Sequence, residues 1–201
     1  FLFLTLSCSQ KTQTLWSAGI ADGSSADLAL GPDGFRQFLS NDFGFEDKYF
    51  IIGHSEADKS FPYVIPGSVD TWGGTWPTSG WRTHQINVLF GIKDMTASAK
   101  RGNWKLVINI LDFSKKFSPL LKVSINEEEH KFQLVTDEHQ LDKQSHPGLR
   151  EPVTDTVSLS GDLKAVTPRL IVIPLERGTL GKGGNSIRLT ILEGSWIVFD
   201  E

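Results

Sequence analysis

The chain of 201 residues carries 20 lysines and arginines against 24 aspartates and glutamates, a formal net charge of −4 at pH 7. This balance argues against a nucleic-acid phosphate binder, which needs a basic face. A single cysteine excludes an internal disulfide framework and any zinc site built from several cysteines. Beyond the first residues, no apolar run approaches the roughly 20 residues of a membrane span, so we expect membrane attachment only through a lipid.

The N-terminal residues are typical of the end of a secretion signal. An apolar run over residues 1–6 precedes Ser7 and Cys8, and a polar stretch follows. This order is similar to a bacterial lipobox, in which the cysteine is lipidated and becomes the first residue of the mature protein. We therefore predict lipidation at Cys8, a signal remnant and tether over residues 1–14, and a secreted or outer-membrane surface lipoprotein. An N-terminal strand with a buried cysteine is the alternative.

Short β-branched and aromatic runs, separated by glycine and proline, predict strands along the rest of the chain. Residues 104–113 have apolar side chains on both faces, which is typical of a central strand. A hairpin is expected between residues 120–125 and 131–135, and a tight one at Glu193-Gly194. In chain order the predicted strands are residues 49–54, 84–92, 104–113, 120–125, 131–135, 169–175, 186–192 and 195–200.

Helix is predicted only as one or two turns near residues 35–39, and residues 136–167 indicate a long surface excursion. Strands with so little helix predict an all-β fold, a jelly-roll β-sandwich over residues 15–201. The chain starts without Met and stops in a strand-like stretch, so we expect a longer parent protein that extends beyond both ends.

No pattern for catalysis stands out in the sequence. The five histidines form no HxH or HExxH pair, and there is no GxSxG elbow or Cys–His pattern. His130, His139 and His146 lie in polar segments, where solvated side chains are expected. Spacing alone cannot place two carboxylates across a sugar ring, although several accompany aromatic residues: Asp42, Glu46, Asp47 and Asp70. We therefore assign no catalytic residue.

Residues 70–84, DTWGGTWPTSGWRTH, hold the strongest candidate for a binding surface. Exposed Trp and Tyr rings stack on the C–H faces of sugars, while Asp, Arg and His bind hydroxyl groups. Paired glycines allow sharp turns that aim such side chains outward. Packing within the loop is the alternative for the first two tryptophans, and Trp81 is expected in the core. The predicted glycan contacts are Tyr63, Asp70, Trp72, Trp76, Arg82 and His84.

Both ends of the domain resemble a known family. LWSAGIADGSSADLAL, residues 15–30, resembles the opening of the carbohydrate-binding-like domain III of rhamnogalacturonan lyases, polysaccharide lyase family 4. Trp16, the Gly19-Ile20 pair and Asp22 hold the matching places. GGNSIRLTILEGSWIVFDE, residues 183–201, is similar to the final strands of that domain. The insertion over residues 49–84 is longer than in the plant and fungal enzymes.

The resemblance implies a galactose-binding-domain-like jelly roll that accompanies a pectin-degrading enzyme. The family's catalytic lysine and histidine belong to another domain, so none is carried over here. The expected function is a non-catalytic carbohydrate-binding-type module directed at pectin, especially rhamnogalacturonan. Its partners would be a polysaccharide or oligosaccharide and the catalytic lyase domain of the same polypeptide. No cofactor is expected, apart from a structural calcium ion with Asp22 or Asp200 as candidate ligand.

Two other functions stay open from the sequence. The domain could contribute Arg82 and His84 directly to a lyase or glycosidase active site, as a base and a neutralising charge near a uronate. It could instead be a structural domain that packs on the catalytic domain and binds no sugar.

Overall fold

A computed structural model describes residues 3–8, 11–32, 34, 47–70, 84–93, 103–135 and 169–201. The predicted helix near residues 35–39 and the excursion over residues 136–167 lie outside the described residues. The described elements, in chain order, are β1 (Phe3–Cys8), β2 (Lys11–Trp16), β3 (Lys48–Ile51), α1 (Ala57–Ser60), β4 (Val64–Ile65), β5 (Gln85–Ile92), β6 (Asn103–Phe113), β7 (Leu120–Ile125), β8 (Glu128–Gln133), β9 (Arg169–Pro174), β10 (Gly183–Glu193) and β11 (Ile197–Phe199).

The strands form two sheets, which confirms the predicted all-β sandwich. The six-stranded sheet has the order β2-β1-β6-β11-β4, and β9 also pairs with β6. The five-stranded sheet has the order β3-β5-β10-β7-β8. Strands β3 and β5 pair in parallel, whereas the other described pairs are antiparallel. Among the described residues, no helix has the length and apolar character needed to cross a membrane.

The central strand predicted over residues 104–113 is confirmed as β6, which pairs with β1, β9 and β11. Leu106, Ile108 and Ile110 are almost completely buried, and Val107 on the opposite face is buried as well. Burial of one such side chain contributes about 1.5 to 3 kcal/mol, so a strand with two apolar faces is most stable between neighbours.

Aromatic side chains connect the two sheets through the core. The Phe61 ring, which follows α1, lies edge-on to Phe50 of β3 and Phe199 of β11, with centroid distances of 5.7 and 6.0 Å. The Trp16 ring of β2 lies 5.2 Å from that of Phe90 in β5. Trp16 is buried, and a tilted ring pair at this distance is a favourable aromatic contact.

One predicted hairpin is confirmed and the other is wrong. Strands β7 and β8 pair through a two-residue turn at Asn126-Glu127, shorter than the expected polar turn. Strands β10 and β11 do not pair, because they lie in different sheets. The chain between them contacts the β6–β7 connection instead, where the N–H of Ser195 donates to the carbonyl of Phe117 at 3.0 Å. Gly194, with φ of +82°, permits this crossing, since a Cβ there would lie 2.3 Å from the carbonyl oxygen of Ser118.

The N-terminal residues form strands in the structure. Strand β1 pairs with β2 on one side and with β6 on the other, so its backbone belongs to the six-stranded sheet. This is the backbone conformation of the alternative considered above for the residues around Cys8. Lipidation of Cys8 stays a prediction.

Candidate glycan-binding site

The six predicted glycan contacts divide into two groups in the structure. Trp72, Trp76 and Arg82 lie outside the described residues, as does Trp81. Tyr63, Asp70 and His84 are described, and their side chains are 7%, 7% and 5% exposed. The residues at both ends of the predicted stretch are therefore held in the protein interior. The glycan-binding role of all six residues stays a prediction.

The carboxylate of Asp70 and the hydroxyl of Ser195 form a hydrogen-bonded contact between two connections of the sandwich, which we call the clasp. The carboxylate accepts a hydrogen bond from the Ser195 hydroxyl at 2.5 Å and another from the Gly67 N–H at 2.7 Å. The N–H of Val69 also donates to the carbonyl of Gly194 at 3.2 Å. A Cβ on Gly67 would lie only 2.3 Å from that same carbonyl oxygen, so this approach requires glycine. Asp70 thus fixes the start of the predicted stretch against the β10–β11 connection.

The backbone of Tyr63 also takes part in the core. Its N–H donates to the carbonyl of Ala29 at 3.1 Å, and its own carbonyl accepts the N–H of Phe199 at 2.8 Å. His84 directly precedes β5 and is equally buried. With so little exposed surface, neither ring presents a broad face to a sugar. In the sequence, Tyr63 and His84 stand next to apolar strand residues. This position distinguishes them from side chains that could contact a sugar at the surface.

The carboxylates proposed as calcium ligands hold the N-terminal loop in place. Asp200 accepts the N–H groups of Gly23 and Ser24 at 3.3 and 3.2 Å. Asp22 accepts the same Ser24 N–H at 2.9 Å. Burial raises the pKa of Asp200, and the nearby charge of Asp22 raises it further, while the two N–H groups lower it. These contacts connect the loop after β2 to the residue that follows β11.

Two further carboxyl groups lie beside Asp200. Both Asp27 oxygens are buried without a hydrogen-bond partner among the described residues. Glu201 is also buried, and this burial, with the charges of Asp200 and Asp27, raises its pKa to about 8. The part of the chain that the structure describes contains no group of three or more His, Cys, Asp or Glu that could hold a metal ion. A structural calcium ion with Asp22 or Asp200 as ligand stays a prediction.

Sequence reasoning was wrong about His130 and missed an open groove. His130 is only 1% exposed rather than solvated, and its Nε2 lies 2.6 Å from Oε1 of Glu128. The groove, about 530 Å³ in volume, lies where β3, β5 and β10 meet. The sequence carried no clear signal for it, because residues 49–52 are all aromatic or aliphatic, and the structure shows that Tyr49 and Ile51 are exposed while Phe50 is buried.

Comparison with known proteins now identifies the family. The family model described as "CBM-like: Polysaccharide lyase family 4, domain III" matches residues 14–201. The chain belongs to this family. The match includes residues 15–30 and 183–201, on which the resemblance was based. The β-sandwich of this family agrees with the two observed sheets. A search of the curated proteins finds no match.

We expect a large loss of stability when Asp70 is changed, because the clasp is then removed. We expect Asp70→Ala to lower the free energy of unfolding by about 2 to 3 kcal/mol, because a buried, charge-assisted hydrogen bond is lost. Ser195→Ala should cost a similar amount, since it leaves a buried carboxylate without its hydroxyl donor. Urea denaturation of the two single variants and the double variant measures this coupling.

Asp58→Ala is the matched control for the clasp, because Asp58 is an exposed carboxylate in α1. Its effect should stay within about 0.5 kcal/mol. Additive losses in the double variant Asp70→Ala/Ser195→Ala would contradict the clasp.

The buried Glu201 predicts a stability that falls as the pH rises. Because its pKa is 4.5 when exposed and about 8 in the fold, the folded state retains a proton that the unfolded chain loses. The stabilisation that the protonated Glu201 provides is complete below pH 4.5. As the pH rises from 4.5 to about 8, the free energy of unfolding falls by up to about 1.4 kcal/mol per pH unit, and above pH 8 this stabilisation is lost. Glu201→Gln should flatten this slope in denaturation measured at a series of pH values, whereas the exposed Glu193→Gln should retain it.

Proposed function

We propose that this domain is a non-catalytic carbohydrate-binding-type module of a secreted or surface polysaccharide-degrading lipoprotein. Its target is pectin, foremost rhamnogalacturonan, and its working partner is a lyase catalytic domain in the same polypeptide. The observation that carries the proposal is the family match over residues 14–201, which makes the chain a carbohydrate-binding-like domain of a lyase family. In this arrangement the module binds the polysaccharide and another domain cleaves it.

The predicted stacking residues lie between two residues that the fold holds in its interior. Asp70 is clasped to Ser195, and His84 is buried at the start of β5. Under this proposal Trp72 and Trp76 stack on sugar rings and Arg82 binds a carboxylate or hydroxyl.

A second candidate function is a structural domain that packs on the catalytic domain and binds no sugar. The observation that favours it is the burial of Tyr63, Asp70 and His84, three of the six predicted contacts. The two functions differ in a direct binding test, because only a binding module retards in a gel that contains polysaccharide.

We expect the full chain to be retarded in native gels that contain rhamnogalacturonan, with an affinity in the micromolar to millimolar range, on the order of −4 to −8 kcal/mol. It should release no unsaturated uronate product by ultraviolet absorbance. Trp72→Ala and Trp76→Ala test the contribution of the predicted stacking residues, with Phe117→Ala as an exposed aromatic control. If no pectic fraction changes the mobility of the chain, the structural domain is favoured. If this chain alone forms product, a role in the active site is favoured.

Lipid attachment at Cys8 is a separate part of the proposal. Ser7-Cys8 after an apolar run supports it. When the full-length protein is expressed in a bacterium supplied with a labelled fatty acid, the label should appear on the wild type and not on Cys8→Ser. An unlabelled wild-type protein would contradict the lipoprotein assignment and leave glycan binding untouched.

A further inference from the structure

The outer side of the five-stranded sheet carries a row of side chains in which Tyr49, Arg188 and Glu129 are exposed, whereas Asn87 and Ser124 are buried. Phe50 of β3 is buried, whereas Tyr49 and Ile51 are 58% and 42% exposed. Because side chains alternate along a strand, residues paired across neighbouring strands share one side of the sheet. The pairing of Tyr49 continues across all five strands, in the order Tyr49, Asn87, Arg188, Ser124 and Glu129.

This side of the sheet is basic, although the whole chain has a net charge of −4. Lys122 and Lys131 oppose one another on β7 and β8, in the row next to Arg188 and Glu129. Lys122 donates to Glu129 at 2.8 Å, and this bond, with the charges of Lys122, Lys131 and Arg188, lowers the pKa of Glu129. Three cations thus surround one carboxylate, which leaves a surplus of two positive charges.

Arg188 is placed to bind a carboxylate. It is exposed, and its Nε donates to Oδ1 of Asn87 at 3.3 Å, which orients the guanidinium group. The two terminal nitrogens make no hydrogen bond to the described residues, so they remain for a bidentate contact with a planar anion. The buried hydroxyls of Ser124 and Thr190 lie on the same side and also have no hydrogen-bond partner among the described residues.

The groove described above continues this row toward one end of the sheet. Ile51 and Leu89 form apolar walls, and His54 is an exposed polar side chain at its margin. Gly91 and Gly184 oppose one another across β5 and β10, so neither strand has a side chain at this point of the groove. A Cβ on Gly184 would meet no atom within 4 Å, which shows open space above the strand.

We infer that the outer side of the five-stranded sheet, from the Gly91–Gly184 groove to Arg188 and Lys122, binds a polysaccharide that carries uronate groups. The inference rests on the proposed function and gives it a surface built from described residues. Tyr49 and the apolar walls contact the C–H faces of the sugar rings, because such faces match aromatic and aliphatic surface. Arg188, with Lys122 and Lys131, neutralises the carboxylates, which is why a neutral glycan of the same shape binds less well.

Three substitutions test this surface by different physical routes. Tyr49→Ala removes the exposed ring, Arg188→Gln removes one charge, and Gly184→Val fills the groove. Gly184→Val should fold, because its Cβ meets open space and the backbone φ is not positive. Phe117→Ala is the control for an exposed ring, and Lys115→Gln is the control for an exposed charge.

The probes are rhamnogalacturonan and the same polysaccharide with its carboxyl groups reduced to alcohols, in affinity gels at low and high salt. We expect each test variant to bind rhamnogalacturonan about tenfold more weakly than the wild type, with both controls unchanged. The reduced polysaccharide should bind more weakly and lose the salt dependence, since its charge is gone. Thermal unfolding of each variant shows whether it is folded.

The outcomes separate the inference from the proposed function. If the wild type binds rhamnogalacturonan and the three test variants bind as tightly as the wild type, the inference is overturned while the module function stands. Equal binding of the native and reduced polysaccharides would also overturn it, because the basic side chains would then contribute nothing. A wild type that binds neither probe overturns both.

Discussion

Burial of one side of the five-stranded sheet against the six-stranded sheet is the constraint on which the remaining structure depends. Phe50, Val88 and Ile187 must face inward, because their removal from water contributes much of the stability of a sandwich. Since side chains alternate with a period of two, this requirement directs their neighbours Tyr49 and Arg188 outward. The core therefore determines which residues form the outer surface, and that surface combines an aromatic ring with a cluster of cations.

Polar contacts at the ends of the sandwich have a different role. Asp70 binds Ser195 and Asp200 binds the loop after β2, so each carboxylate joins segments far apart in sequence. Such buried contacts are costly when one partner is lost, which makes them fixed points of the fold.

The sequence was informative where a local pattern decides the structure. The apolar faces of β6 predicted a central strand, and the strands on either side of Asn126 predicted a hairpin, because both depend on short-range periodicity and turn chemistry. It failed at Glu193-Gly194, where contacts with Phe117 and Ser118 direct the chain to the other sheet. It also missed the outer row, since the pairing of Tyr49, Asn87 and Arg188 joins residues from three distant parts of the chain.

The central claim is that this lyase-family domain binds an acidic polysaccharide through the outer side of its five-stranded sheet. The most direct measurement is a heteronuclear NMR titration of the chain with a rhamnogalacturonan oligosaccharide. We expect the amide signals of Tyr49, Leu89, Gly184 and Arg188 to shift together in a saturable manner, whereas those of the six-stranded sheet stay in place. Saturable shifts confined to residues 71–83, or no shifts at all, would contradict it.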